Sequence, residues 1–182
     1  GYTVTNAGVA TTLTGSSFND SLTGGEGNDT IAGGLGNDTI DGGAGNDAID
    51  AGEGNNTVIG GDGNDAITAG AGADSLSGGA GNDTLVGGVG ADTLTGGSGN
   101  DIYRFAPGDS IVSAPDTITD FTSGSDKIEF PGISGISYFG DTPESIYGHT
   151  GATVGDTVAN IVADQTIKNA IVFFAYGGDG YL

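Results

Sequence analysis

Gly24-Gly25-Glu26-Gly27-Asn28-Asp29-Thr30-Ile31-Ala32 is followed at once by Gly33-Gly34-Leu35-Gly36-Asn37-Asp38-Thr39-Ile40-Asp41. Both nonapeptides obey one rule, G-G-x-G-x-D-x-U-x, with U a large apolar residue. Further copies begin at Gly42, Ala51, Gly60, Ala69, Gly78, Gly87 and Gly96, and a weaker one at Gly15, so ten registers fill Gly15 to Arg104 without a gap. The sixth position is Asp20, Asp29, Asp38, Asp47, Asn56, Asp65, Asp74, Asp83, Asp92 and Asp101. The eighth is Leu22, Ile31, Ile40, Ile49, Val58, Ile67, Leu76, Leu85, Leu94 and Tyr103. A fixed period of this kind outranks any local propensity.

Each copy divides into two halves. G-G-x-G-x-D reads as a turn, because glycine tolerates positive φ and lets several carbonyls point to one side. D-x-U-x reads as a short strand with one inward side chain. Two copies then make an 18-residue coil, and successive coils stack at the parallel-strand spacing of roughly 4.8 Å. The apolar positions fall into two facing series. One is Leu22, Ile40, Val58, Leu76 and Leu94; the other is Ile31, Ile49, Ile67, Leu85 and Tyr103. The core is thin, and each coil touches only its neighbours.

Every second turn lies on the same side. Asp29, Asp47, Asp65, Asp83 and Asp101 form one column; Asp20, Asp38, Asn56, Asp74 and Asp92 form the other. Stacked carboxylates repel unless a positive charge sits between them, and Arg104 is the one basic residue of the stretch. Carboxylate with backbone carbonyl is the oxygen-rich set that Ca²⁺ takes, with about six to eight ligands. Mg²⁺ fits less well because it keeps its waters. No His or Cys cluster offers nitrogen or sulfur to a transition metal.

The run resembles the repeats-in-toxin (RTX, haemolysin-type) calcium-binding repeat over about half of the chain. The resemblance implies an all-β fold: a right-handed parallel β-roll, or β-solenoid, with 18 residues per coil. It places Ca²⁺ between turns, held by the sixth-position residues of both turns. The remaining ligands are the second and fourth carbonyls of one turn and the first and third of the next. Carried onto this chain, the second- and fourth-position carbonyls are those of Gly25, Gly27, Gly34, Gly36, Gly43, Gly45, Gly61, Gly63, Gly70, Gly72, Gly79 and Gly81. The first- and third-position carbonyls are those of Gly42, Ala44, Gly60, Asp62, Ala69, Ala71, Gly78, Ala80, Gly87, Val89, Gly96 and Ser98. Gly15-Ser16-Ser17-Phe18-Asn19-Asp20 lacks the second and fourth glycines, which weakens the Asp20/Asp38 site. Asn56 removes one negative charge from the sites it shares with Asp38 and with Asp74, so both are expected to bind more weakly.

Residues 1–14 read as a lead-in. Tyr2-Thr3-Val4-Thr5 is a candidate strand, and Asn6 to Thr14 keeps the nine-residue register with Leu13 apolar but Thr11 in place of Asp. The roll is expected over 15–105 and a β-rich cap over 106–182. Asp116-Thr117-Ile118-Thr119-Asp120-Phe121 and Asp126-Lys127-Ile128-Glu129-Phe130 alternate as half-buried strands do. They resemble the module that follows RTX repeats in secreted bacterial metalloproteases, lipases and alginate epimerases. Asp109 and Asp126 are candidate ligands of a last site. Asp156 is a candidate cap of a short helix with Val158, Ile161 and Val162 on one face. Ala170 to Tyr176 reads as a strand and Gly177-Gly178-Asp179-Gly180 as a hairpin turn. The short return at Tyr181 and Leu182 suggests a fragment of a longer protein.

Composition narrows the function. The 182 residues hold 39 Gly, 24 acidic and 3 basic residues, no Cys, Met or Trp, and a formal net charge of −21. No basic patch exists to neutralise phosphates, which disfavours nucleic acid. No apolar run of about 18 residues is present to span a membrane, and no signal peptide is visible. Absence of cysteine fits an exported chain that relies on metal instead of disulfides. His149 is the single histidine and reads as a loop residue. No H-E-x-x-H, G-x-S-x-G or P-loop occurs, so a catalytic centre is not expected in this chain. The Asn-Asp-Thr tripeptides match the glycosylation pattern only because the repeat generates them.

The expectation is therefore a non-catalytic, calcium-binding domain of a secreted bacterial protein that leaves through type I secretion machinery and folds on meeting Ca²⁺ outside. An ion at about ten times its Kd contributes roughly 1.4 kcal/mol, so about six such ions give on the order of 8 kcal/mol, comparable to the stability of a domain. Two other classes stay open. One is a polysaccharide-binding module of an extracellular enzyme such as an alginate epimerase. The other is a self-associating surface-layer or adhesin segment.

Overall fold

A computed structural model describes residues 1, 3–6, 8–106, 109, 114–122, 124–131, 157–163 and 171–176. Strands alternate between two sheets as the chain advances. Thr3–Thr5 (β1), Ser21–Glu26 (β3), Thr39–Ala44 (β5), Thr57–Asp62 (β7), Ser75–Ala80 (β9), Thr93–Ser98 (β11) and Thr117–Ile118 (β13) lie side by side in one sheet. Thr12–Thr14 (β2), Thr30–Leu35 (β4), Ala48–Glu53 (β6), Ala66–Ala71 (β8), Thr84–Val89 (β10), Ile102–Arg104 (β12) and Lys127–Glu129 (β14) form the other. Every pairing among these fourteen is parallel. Leu22 pairs with Ile40 and Ile40 with Val58, and on the other sheet Ile31 pairs with Ile49 and Ile49 with Ile67. The chain is thus an all-β parallel solenoid with 18 residues per coil, and no helix occurs among the described residues.

The strands are longer than the four residues expected. Strands β3 to β11 each run for six, through the first three residues of the next copy, as in Ser21-Leu22-Thr23-Gly24-Gly25-Glu26. Glycine pairs through its main chain alone, so the ladder continues through Gly25↔Gly43 and the turn shrinks to G-x-D. Burial alternates with period two along each strand, so two positions face inward rather than one. One is the large eighth-position residue and the other is the first-position Gly or Ala. Ala51 and Ala69 are fully buried there. The two apolar columns share one core with Leu13, Phe105 and Ile118, and Val4, Phe121, Ile128 and Phe130 pack against it.

Beyond Arg104 the coil is completed after an interruption. β13 stacks on β11 with Leu94↔Ile118, and β14 stacks on β12 with Tyr103↔Ile128. Ring pairs Tyr103–Phe121 and Phe105–Phe130, with centroids 6.2 and 5.9 Å apart, cover this end of the core. Ile171–Tyr176 (β16) then pairs antiparallel with β13 and with Thr157–Ala163 (β15). The helix expected around Val158, Ile161 and Val162 is instead strand β15. Thr157, Val158, Ile161 and Val162 are β-branched and favour extended backbone. The proposed cap residue Asp156, the turn 177–180 and His149 lie outside the described residues.

Candidate metal centres

The sixth-position residues line up as the 18-residue period requires. All ten are buried, from Asp20 through Asp101, including Asn56. Each is tied to the coil that follows by one repeated bond, in which its own N–H donates to the Oδ1 of the residue one coil on. In the first column Thr11 N–H donates to Asp29 Oδ1 at 2.7 Å, Asp29 to Asp47 at 2.7 Å, Asp47 to Asp65 at 2.8 Å, Asp65 to Asp83 at 2.8 Å and Asp83 to Asp101 at 2.9 Å. In the second, Asp20 donates to Asp38, Asp38 to Asn56, Asn56 to Asp74 and Asp74 to Asp92.

This bond uses one carboxylate oxygen and strands the other. The Oδ2 atoms of Asp29, Asp38, Asp47, Asp65, Asp74, Asp83 and Asp92 are buried with no hydrogen-bond partner. A buried, unsatisfied carboxylate oxygen is costly unless a cation satisfies it. Five of them lie beside a carbonyl of the next coil. A Cβ added at Gly24 would strike both Asp29 Oδ2 and Gly42 O, and the same holds for Gly33 with Asp38 and Ala51 O. It holds again for Gly42 with Asp47 and Gly60 O, Gly60 with Asp65 and Gly78 O, and Gly78 with Asp83 and Gly96 O. Acceptors thus face acceptors with no donor between them.

The remaining expected carbonyls fall into two groups. Those of the second and fourth positions face the following coil: Gly25 O abuts Gly43, Gly27 O abuts Gly45, Gly43 O abuts Gly61 and Gly45 O abuts Gly63. The pattern repeats at Gly34, Gly36, Gly61, Gly63, Gly70, Gly72, Gly79 and Gly81, and also at Gly52 and Gly54. Third-position carbonyls hold the coils together. Ala44, Asp62, Ala71, Ala80, Val89 and Ser98 each accept an N–H from the fourth-position glycine of the preceding coil, at 2.7–2.9 Å. First-position Ala69 and Gly87 occupy the same register as the other first-position residues.

Burial raises the carboxyl pKa at Asp38, Asp47, Asp65, Asp74, Asp83, Asp92 and Asp101. The hydrogen bond from the preceding coil pulls each back down, and Coulombic repulsion from neighbouring carboxylates pushes most of them up again. Asp83 and Asp92 reach about 6. Protein cations offer no relief, since the one ion pair among the described residues, Arg104–Glu129 at 2.8 Å, sits at the end of the roll. No three acidic or His side chains converge on one point among the described residues. Each candidate centre is therefore two sixth-position side chains completed by main-chain oxygens, a hard-oxygen set that suits Ca²⁺.

The ends differ from the middle. Asp20 Oδ2 accepts the N–H and the hydroxyl of Ser16, at 2.6 and 2.8 Å, so a serine donor stands where later copies have glycine. At the other end Asp126 Oδ1 accepts Asp101 N–H at 3.0 Å, taking the place of a sixth-position Asp. Asp116 does the same for Asp92 at 2.9 Å, a role not anticipated from the sequence. The signal was present, since Asp116-Thr117-Ile118 has the D-T-U form of Asp29-Thr30-Ile31. Asp109 contributes differently: its main-chain oxygen accepts Gly90 N–H at 3.4 Å, and its carboxylate accepts Ala106 N–H at 2.6 Å. Tyr103 reaches past the core, accepting Gly96 N–H and donating to Asp120 Oδ1, both at 2.9 Å. Burial, then Asp120, raises its pKa and keeps the phenol neutral.

A second ladder, on the turn surface, also escaped the sequence reading. The fifth-position Asn28 Oδ1 accepts Asn46 N–H, Asn46 accepts from Asn64, Asn64 from Asn82 and Asn82 from Asn100. On the other face the series Asn19, Asn37, Asn55 ends at Ala73.

Fold and site together define a parallel β-solenoid whose turns stack carboxylates and carbonyls into two columns of candidate cation sites. Among known families, the RTX calcium-binding nonapeptide repeat (four copies) matches residues 10–40, 41–76, 50–85, 68–103 and 77–112. These matches run from residue 10 to 112, more than half of the chain, and the chain belongs to this family. No curated protein matches the chain.

Proposed function

We propose that this chain is a calcium-responsive folding domain of a secreted bacterial protein, which passes type I secretion machinery unfolded and orders outside the cell. The repeat family is a structural, calcium-binding one, which supports the ion and a non-catalytic role. The observation that carries the reading is the set of buried Oδ2 atoms without partners, five of them beside a carbonyl of the next coil. Ca²⁺ between coils would neutralise both carboxylates and satisfy those oxygens. The chain's own residues set the spacing: the apolar columns fix the coils, and the N–H to Oδ1 bonds aim each carboxylate. Extracellular modules bind Ca²⁺ with Kd of roughly 10⁻⁴–10⁻³ M. At low intracellular Ca²⁺ the columns stay charged and repelled, and the chain stays open for export.

The test is a circular-dichroism titration of the full chain. In excess chelator the expected spectrum is largely unstructured, and millimolar Ca²⁺ should produce β-structure cooperatively while equal Mg²⁺ does not. A β-rich spectrum in chelator that Ca²⁺ leaves unchanged overturns the reading.

A further inference from the structure

The turn around Asn56 already contains a donor where its neighbours have none. Asn56 Oδ1 accepts Asp38 N–H at 2.9 Å, as the Asp carboxylates do at equivalent positions. That bond fixes the orientation of the amide, because only the oxygen can accept. The amide nitrogen must then point to the other side. It donates to Gly54 O at 3.3 Å and, more weakly, to Gly52 O at 3.5 Å. Gly52 and Gly54 are the fifth copy's counterparts of Gly25 and Gly27, the carbonyls that an ion between Asn56 and Asp74 would need.

We infer that the Asn56 side-chain amide occupies the cation position of the Asn56/Asp74 rung, so that this rung closes on an internal N–H donor and takes no Ca²⁺. The consequence is one-sided. The nitrogen serves the Asn56/Asp74 rung, whereas the Asp38/Asn56 rung meets the oxygen. Asp38 Oδ2 stays buried and without a partner, so that rung keeps its demand for an ion. Loss of one charge alone would weaken both rungs alike, and an amide plug removes one of them. An ion there would have to displace the nitrogen from two carbonyls, and rotating the amide would break the Asp38 bond.

The inference rests on the calcium reading above, and ion counting separates the two. Native mass spectrometry of the full chain at saturating Ca²⁺ should show one more bound ion in Asn56→Asp than in the parent chain. Equal counts, even with tighter binding in the variant, overturn the plug. Absence of bound Ca²⁺ in both proteins overturns the calcium reading and the plug with it. Anomalous diffraction from calcium-loaded crystals of the unaltered chain decides the matter even if Asn56→Asp does not fold. The expected map has a peak between Asp38 and Asn56 and none between Asn56 and Asp74; a peak at the second position overturns the plug.

Discussion

Gly43 has a φ of 102°, and a Cβ placed on it would strike the backbone oxygen of Gly25 one coil away. Both demands fall on the same residue, and glycine alone meets them. A left-handed φ costs an L-residue on the order of 1–3 kcal/mol, before any clash. Gly43→Ala is therefore expected to raise the Ca²⁺ midpoint for folding several-fold in a circular-dichroism titration. Ala44→Ser, at the neighbouring exposed position, should leave that midpoint in place. An unchanged midpoint in Gly43→Ala would mean that the turn relaxes without its glycine. The second and fourth glycines were legible in the sequence because they recur in every copy after the first. The asparagine ladder was not legible, because the fifth position admits Ala73 and Ala91 and looks free. Its bonds are exposed, and an exposed bond contributes little net stability, so selection by the fold is weak there. Asn56 falls between these cases. Its lost charge is visible in the sequence, but the direction in which its amide nitrogen points depends on the bond from Asp38.

At the scale of elements, the period decides almost everything up to Arg104 and then hides itself. Asp92 meets Asp116 after 24 residues and Asp101 meets Asp126 after 25, where every earlier step is 18. The inserted residues break the register that a repeat search follows, although the local D-x-U pattern survives. The segments Asp116–Phe121 and Asp126–Phe130 therefore read as cap strands, while their role as final rungs was legible only in part, through Asp126. Strand β15 failed for another reason. A short apolar stretch supports helix or strand equally by periodicity, and the pairing with β16 settles it from outside the segment. The final rung carries a testable cost. Asp116→Ala leaves the buried N–H of Asp92 without its acceptor, which costs about 1–3 kcal/mol. The loss should appear as a lower calcium-loaded melting temperature and as faster amide exchange in β11 and β13, with β3 and β5 unaffected. Uniform destabilisation along the roll would contradict nearest-neighbour coupling.

For the whole molecule, a net charge of −21 and two buried acidic columns make protons and Ca²⁺ rivals for the same oxygens. Burial raises the carboxyl pKa values in the folded roll, to about 6 at Asp83 and Asp92, from an ordinary value of 3.8. Between those values the folded chain holds more protons than the unfolded chain. Stability without metal must therefore fall as pH rises through that window. It is greatest at the acid end, where the columns are neutral. Calcium reverses the slope, because it binds carboxylate and not carboxylic acid, so loading expels protons and becomes more favourable as pH rises. In chelator, β-structure measured by circular dichroism should increase as pH is lowered from 7 to about 4. In millimolar Ca²⁺, the melting temperature should instead rise over the same interval from acid to neutral. Calcium addition near pH 5 should release protons measurably into a weakly buffered solution, and near pH 8 it should release almost none. If β-structure in chelator were lost on acidification, or if proton release were the same at both pH values, the buried carboxylates would not be the groups that hold the metal-free roll open.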